Sequence, residues 1–376
     1  MTKIIDIPKE ELRKKRQFIF LAVLSLSLFG LLMVYSSSGI YAWRLYQDSE
    51  YFLKRQFLFL CISLVAFFAI LFVNVDILRE HNRKIFLFNL LLLFLVLIVG
   101  RKIGGARRWL EIGNFNFQPS ELLKLSFLLY TSGYFFRKGN HMQHFKEGVF
   151  PFICVACLVF LLVILEPDFG MIIFWLIWIL FMFFLIKVKT KHIFFLVLLG
   201  VVASLVLIKA DPYRSKRLLV FLNPWRDPKG SGFQILQSQI AFAEGGIWGV
   251  GLGEGKQKLF FLPAAHTDFI FSIIAEECGI VGCLGVLLLY FSIIITLLRV
   301  SWRIGNVFFC YFCMGVSIML GLEVIINVGV SCGLFPTKGM SLPFISYGGS
   351  NLLIHYILLG IFFNVSKSYE DYPRMR

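Results

Sequence analysis

The sequence FIFLAVLSLSLFGLLMV, residues Phe18 to Val34, is an apolar run without a charged side chain that follows a polar, basic segment. A helix that crosses a bilayer needs about 20 predominantly apolar residues, and this run approaches that length. It resembles the apolar core of a signal peptide, but it is long for one, and further apolar runs follow it. We therefore interpret it as the first of several uncleaved membrane-spanning helices.

The composition agrees with that interpretation. Of the 376 residues, 58% are hydrophobic and 16% are charged, whereas a soluble domain is about a quarter charged. The sequence predicts an all-α polytopic membrane protein, with about ten spans packed in one bundle. The predicted spans lie at roughly 18–38, 52–73, 84–100, 118–136, 149–166, 168–187, 191–210, 268–298, 306–333 and 343–366.

The positive charges of the loops predict the orientation. The loops predicted to be cytoplasmic are short and basic, which places residues 1–17 and 367–376 in the cytoplasm and a large loop, 210–267, outside. Other basic residues gather on the outer side, in that large loop and in the shorter loop that contains Arg101, Lys102, Arg107 and Arg108. They indicate an anionic ligand or, alternatively, anionic lipid headgroups. The net charge of +15 therefore does not imply nucleic acid.

The stretch LPAAHTDFIF, Leu262 to Phe271, places a carboxylate at the head of an apolar segment. A carboxylate at a membrane surface is costly and is usually retained for a task. We expect Thr267 to cap the helix and Asp268 to lie in its first turn, where the helix N-terminus favours an anion. Asp268 can then accept a proton from a sugar hydroxyl or hold a cation; alternatively, it only stabilises the helix end. His266 is a rival base or a loop contact.

Further charged residues fall within predicted spans. Glu121 and Lys124 are one helical turn apart, so they can neutralise each other as an ion pair or, alternatively, line a polar cavity. Glu323 has no basic partner on its own helix and is expected to face the bundle interior. Glycine and proline recur between Asn327 and Ser350, which indicates irregular backbone that lines a cavity or, alternatively, a simple extracellular turn.

The large loop is expected to be only partly irregular. Phe233, Leu236, Ile240 and Ala243 recur at helical spacing, which predicts a short amphipathic helix at the membrane interface. A glycine-rich run from Gly245 to Gly255 follows. Its backbone N–H groups could approach a phosphate, although a plain mobile loop is an equal alternative.

Taken together, these motifs resemble the SEDS family (shape, elongation, division, sporulation) of polytopic bacterial peptidoglycan polymerases. Within that family, GARRW and PTKG resemble the division type, the FtsW branch, or its sporulation relative, rather than the elongation type, RodA. Ala264 stands where the family commonly has glutamate. The resemblance is carried by GARRW (Gly105–Trp109), QPSE (Gln118–Glu121), EPDFG (Glu166–Gly170), NPW (Asn223–Trp225), HTDFIF (His266–Phe271), PTKG (Pro336–Gly339) and PFISYGGS (Pro343–Ser350).

The resemblance implies that the chain polymerises lipid II, a disaccharide-pentapeptide on a polyprenyl pyrophosphate, at the outer face of the bacterial cytoplasmic membrane during septal wall synthesis. Asp268 corresponds to the family's essential aspartate and would act as general base on the acceptor GlcNAc 4-hydroxyl. The basic residues would stabilise the pyrophosphate, and Trp109 could stack on a sugar. The candidate substrate-binding residues are Arg107, Arg108, Trp109, Lys258, His266, Glu121, Lys124, Ser346 and Ser350.

The resemblance also implies partners. A class B penicillin-binding transpeptidase would cross-link the glycan, and other membrane proteins of the division machinery would bind; no nucleic acid is expected. A divalent cation, Mg²⁺ or Mn²⁺, could bridge Asp268 and the pyrophosphate, but the sequence contains no dedicated set of metal ligands. The alternative to an enzyme is a transporter that flips lipid II, because buried charges and broken helices are also typical of transporters.

Overall fold

The computed structural model describes residues 9–103, 106–113, 115–209, 212–230, 232–337 and 339–368. These residues form twelve α-helices and one small antiparallel sheet of three strands. The helices are α1 (Lys9–Tyr46), α2 (Tyr51–Ile70), α3 (Val75–Val99), α4 (Pro119–Lys138), α5 (Phe150–Leu165), α6 (Phe169–Leu185), α7 (Thr190–Lys209), α8 (Pro212–Leu222), α9 (Phe233–Gly245), α10 (Ile270–Ser301), α11 (Val307–Ser331) and α12 (Gly349–Ser368).

The predicted class, a polytopic helical membrane protein, is confirmed, but the count of ten spans is not. Within the described ranges, eight helical segments are long and apolar enough to cross a membrane. The helix α6 is apolar but has only 17 residues, and α4 carries charged residues at both ends. The other eight are α1, α2, α3, α5 with the turn before it, α7, α10, α11 and α12.

The helices differ from the predicted spans mainly at their ends. The first helix begins at Lys9, within the predicted polar tail, because KEELRKKRQ consists largely of good helix formers that continue the helix beyond the apolar run. The last helix begins only at Gly349, since the glycine- and proline-rich residues before it are irregular. The described part of this irregular segment, 333–337 and 339–348, is packed inside the protein at Leu342 and Ile345, as backbone of this kind requires at membrane depth.

The centre of the bundle is formed by α4, α11 and α12, which bury most of their length. In contrast, α7 has no buried residue and lies at the periphery. A peripheral helix of this apolar composition can face only lipid or a partner. The buried charged residues Lys124 and Glu323 lie on two of these central helices, α4 and α11.

The small sheet between α3 and α4 was not predicted from the sequence. Its strands are β1 (Arg101–Ile103), β2 (Ala106–Ile112) and β3 (Phe115–Phe117), in the order β1-β2-β3. Successive side chains of a strand point to opposite faces, so the neighbours Arg107 and Arg108 are directed apart. This alternation gives the two arginines different partners.

The segment between α7 and α10 is largely structured. The predicted helix is confirmed as α9, but its predicted apolar face is wrong: Ile240 and Ala243 are exposed, whereas α9 buries Ile235, Leu236 and Ala241 against the bundle. The glycine run then packs against a kink in α10 at Gly279, whose backbone has φ 65° and ψ −167°. The N–H groups of Val250 and Gly251 donate to the carbonyls of residues 276 and 277, over 3.0 and 3.1 Å. These two amides therefore stabilise the broken helix and do not face a ligand.

Candidate functional site

Asp268 lies in a tight turn ahead of α10, not in the first turn of that helix. The helix begins at Ile270, and no side chain caps it. The predicted capping by Thr267 is wrong: its hydroxyl donates to the carbonyl of Ala264 over 3.2 Å. Ala264 has a φ of 56°, and its carbonyl also accepts the backbone N–H of Thr267 and of Phe269, which closes the turn before the helix starts.

This turn is attached to helices and segments that are distant in sequence. The Asn327 side chain on α11 donates to the carbonyl of Asp268 over 2.9 Å and to that of Met340 over 2.7 Å. The Ser346 hydroxyl donates to the carbonyl of Thr267 over 2.6 Å. These bonds fix the backbone of the turn from which the Asp268 side chain extends.

The carboxylate of Asp268 is more basic than an exposed aspartate. Burial, with a contribution from Asp168, raises its pKa to about 6, while the guanidinium groups of Arg217 and Arg108 act in the opposite direction. A methyl group added at Gly339 would lie 3.0 Å from its Oδ2, so the carboxylate packs closely against that glycine. A carboxylate with this pKa is mostly ionised at neutral pH and is a stronger proton acceptor than usual.

Two arginines therefore influence Asp268, and they come from different elements. Arg108, on β2, donates from Nε to the carbonyl of Glu166 over 2.8 Å and from Nη2 to that of Pro167 over 2.5 Å. Arg217, on α8, donates to the carbonyl of Thr337 over 3.1 Å. Arg217 was not predicted from the sequence, because its only signal was its place in a basic loop. Asp168, which caps α6 through the N–H of Met171, was not predicted either.

Arg107 is directed elsewhere. Its guanidinium donates to the carbonyls of Ile98 and Leu97, over 2.7 and 3.2 Å, at the end of α3. It thereby satisfies terminal carbonyls of a helix, which otherwise lack partners. Trp109 is half-buried and pairs in the sheet with Arg101. The predicted substrate contacts of Arg107 and Trp109 stay predictions.

Lys258 belongs to a buried network. Its ammonium donates to Ser36 over 3.0 Å, to the Gly253 carbonyl over 2.6 Å and to Glu277 over 2.7 Å. An ammonium has three N–H donors, so these acceptors account for all of them. The structure therefore shows Lys258 joining the loop before Asp268 to α1 and α10, and its predicted contact with a pyrophosphate stays untested.

His266 packs among aromatic rings. Its ring centroid lies 4.8 Å from that of Phe52, 5.7 Å from Tyr41 and 5.8 Å from Tyr347. Burial lowers the pKa of His266 to about 4, so the imidazole is neutral at physiological pH. This packing agrees better with the loop-contact alternative than with a second base.

Glu121 and Lys124 form the expected ion pair, with Nζ 2.7 Å from Oε2. Lys124 also contacts Glu323 on α11, 2.6 Å from Oε1, and Asn351 donates to Glu121 over 3.0 Å. The Ser350 hydroxyl donates to the carbonyl of Asn116, over 3.3 Å, in β3 just ahead of α4. The predicted interior position of Glu323 is confirmed, since its side chain is fully buried.

In the described ranges, no group of three or more His, Cys, Asp or Glu side chains could hold a metal ion. The divalent cation predicted at Asp268 stays a prediction. Gly105 and Lys338, which belong to the GARRW and PTKG motifs, lie outside the described residues.

Comparisons with known proteins agree on one family. Residues 16–371 match the model of the FtsW/RodA/SpoVE family, described as cell cycle protein. The probable peptidoglycan glycosyltransferase FtsW of Geobacter sulfurreducens is 35% identical, over 97% of this chain and 98% of its own. The stage V sporulation protein E of Bacillus subtilis is 36% identical, over 94% and 98%. A solved structure of a peptidoglycan synthase complex, which coordinates polymerization and crosslinking, aligns with a TM-score of 0.78 at 30% identity, over 94% of this chain and 98% of that one.

Proposed function

We propose, since this chain belongs to the FtsW/RodA/SpoVE family of cell cycle proteins, that it polymerises lipid II and that Asp268 is its general base. The chain is a multi-pass membrane protein and a peptidoglycan glycosyltransferase, as its relatives indicate. The proposal concerns the substrate, the reacting groups and the side of the membrane. The observation that carries it is the Asp268 carboxylate, held by its backbone, with a raised pKa and with arginines from two elements nearby.

The reaction needs one base and a stabilised leaving group. The 4-hydroxyl oxygen of the acceptor GlcNAc attacks the anomeric carbon of the donor, and its proton passes to the Asp268 carboxylate. The bond between that carbon and the pyrophosphate oxygen breaks, and the polyprenyl pyrophosphate leaves with the electron pair. A single displacement of this kind inverts the anomeric carbon and does not require the carboxylate pair of a retaining glycosidase.

Arg108 and Arg217 are the cations proposed to stabilise the leaving pyrophosphate. Each is anchored by backbone carbonyls through some of its five donors, so the guanidinium is oriented before substrate binds. Preoriented cations stabilise charge that develops in the transition state without reorganising at that moment. The Glu121–Lys124 pair is proposed to line the cavity that receives the substrate.

The cellular assignment follows the family resemblance. The proposal is that the reaction takes place at the outer face of the cytoplasmic membrane during septal wall synthesis, with both termini of the chain in the cytoplasm. An elongation-type role is the alternative within the family. The partner is proposed to be a class B penicillin-binding transpeptidase, in line with the structural similarity to a component of a peptidoglycan synthase complex.

A lipid II flippase is the second candidate function, because α10 is broken and the bundle centre contains buried charges. The position of Asp268 favours the enzyme, since it lies in a turn ahead of α10 and not within that helix. A transporter would bind its substrate near the bilayer midplane.

The test is polymerisation of lipid II by the purified full-length protein in proteoliposomes, with and without the cognate transpeptidase. Asp268→Asn keeps the size of the side chain and removes the base, so glycan product should fall by about 100-fold or more. Glu254→Gln, an exposed carboxylate in the same loop, is the matched control and should polymerise normally. Long glycan chains made by the Asp268→Asn protein would refute the assignment.

A further inference from the structure

A buried polar network behind the Glu121–Lys124 pair extends to a histidine that the proposed reaction does not use. Glu323 on α11 contacts Lys124 through Oε1 at 2.6 Å and His355 on α12 through Oε2 at 2.5 Å. His355, Glu323 and Lys124 are almost fully buried, and Glu121 is the most accessible of the four, at 13%. The network therefore begins at the proposed cavity and ends inside the bundle.

The hydrogen bonds of His355 define its protonation. Its Nδ1 lies 2.8 Å from the carbonyl of Asn351, which can only accept a hydrogen bond. Its Nε2 faces the carboxylate of Glu323, which also accepts when ionised. A neutral imidazole has only one N–H, so an ionised Glu323 requires that both ring nitrogens carry a proton.

The charge balance of the network sets its number of protons, and the Lys124 ammonium, 2.6 Å from Oε1 of Glu323, favours the ionised carboxylate, which leaves the remaining proton on His355. Two ionised carboxylates, Glu121 and Glu323, face one ammonium, Lys124, so these three groups carry a net negative charge. A buried charge without a partner is strongly destabilising. A protonated His355 makes the four groups neutral overall. On α10, the nearby Tyr290 phenol donates to the carbonyl of Pro343 and adds no charge, and the ring of Phe344 packs at 5.5 Å from the imidazole.

We propose that His355 is a buried imidazolium, a positioning residue that fixes Glu323 and, through it, Lys124, so that the Glu121–Lys124 pair keeps its place in the substrate cavity. The role in positioning rests on the proposed function, whereas the protonation state does not. Asn351 links His355 to Glu121 at the other end of the network. Its backbone carbonyl accepts from His355, and its side-chain amide donates to Glu121 over 3.0 Å.

The protonation state can be measured directly. Full-length protein with ¹⁵N-labelled histidine in liposomes is examined by solid-state NMR, and the His355 signals are assigned by their loss in His355→Gln. We expect two protonated ring nitrogens at pH 7, whereas an exposed histidine is largely neutral there. One bare ring nitrogen, the signature of a neutral imidazole, would overturn the proposal even if every variant folds and polymerises as expected.

A double-mutant cycle tests the positioning role with lipid II in proteoliposomes. Glu323→Gln and His355→Gln each leave the buried charges unbalanced, whereas the double variant removes one charge of each sign. We expect kcat to fall at least about tenfold in each single variant and to recover at least about tenfold in the double variant, which is a non-additive result. Tyr356→Phe, a buried neighbour that contacts Ser27 outside the network, is the control and should retain activity.

A double variant whose kcat falls by the product of the two single-variant losses would overturn the positioning role. The outcome is separable from that of the proposed function: polymerisation by Asp268→Asn would refute the general base and leave the NMR result unaffected. A neutral His355 in a protein that polymerises normally would refute only this inference.

Discussion

The raised pKa of Asp268 makes a quantitative prediction for the pH dependence of polymerisation. The general base must be ionised, so the rate should follow the fraction of Asp268 in the carboxylate form. Burial raises its pKa to about 6 from an ordinary value of 3.8. Since the group is an acid with a raised pKa, activity is lost as the pH falls through about 6, not through about 4.

The magnitude follows from the two pKa values. With a pKa of about 6, about 9% of Asp268 is ionised at pH 5 and about 91% at pH 7, a rise of about tenfold. With the ordinary pKa of 3.8, about 94% of Asp268 would already be ionised at pH 5, and the rate would hardly change between pH 5 and pH 7. Because the Arg217 guanidinium lowers the pKa of Asp268, Arg217→Ala should move the midpoint of the profile to higher pH.

The assay is the initial rate of lipid II polymerisation in proteoliposomes at constant ionic strength between pH 4.5 and 8. The control is His266→Gln: burial lowers the pKa of His266 to about 4, so its removal should leave the midpoint near pH 6 whatever the plateau rate. A rate that is constant from pH 5 to pH 7 would refute the reasoning. Loss of the midpoint near pH 6 in the His266→Gln variant would also refute it.

Three further substitutions test the framework around the site, each read from unfolding midpoints of the purified protein in detergent. Asn327→Leu loses two hydrogen bonds of about 0.5–1.5 kcal/mol each but also removes a buried, unpartnered oxygen, so we expect a net loss of about 1–2 kcal/mol; an unchanged midpoint would contradict this. Lys258→Met leaves Glu277 buried and unpaired and should cost about 3–5 kcal/mol; adding Glu277→Gln should restore much of it, and an equal loss in the double variant would count against the pair. Gly279→Ala forces a methyl against the backbone of the packed glycine loop, at a φ of 65°, and should destabilise strongly, whereas Gly285→Ala on the same helix meets open space and should not.

Much of the fold and part of the site follow from local sequence. Apolar runs of bilayer length predict membrane helices, and the spacing of Glu121 and Lys124 alone predicts their ion pair. Helical spacing of apolar residues also predicts the helix α9, although two of those residues, Ile240 and Ala243, prove to be exposed because tertiary packing selects another face.

The rest depends on tertiary contacts that no local pattern shows. Thr267 resembles a helix cap in sequence, yet Ser346, which is 79 residues away, holds it in a turn before the helix. A lysine in a glycine-rich loop resembles a phosphate ligand until Glu277 is found beside it. Arg217 is one of several basic residues of its loop, and only the fold brings it to Asp268.

The attachment of the Asp268 turn has a consequence for biogenesis. Its hydrogen bonds come from α11 and from the segment before α12, which leave the ribosome after the turn itself. A nascent chain that has inserted only as far as α10 already contains the aspartate but lacks the donors that orient it. We therefore expect the proposed base to be held in place only when insertion is nearly finished, and a chain truncated after α10 to be inactive.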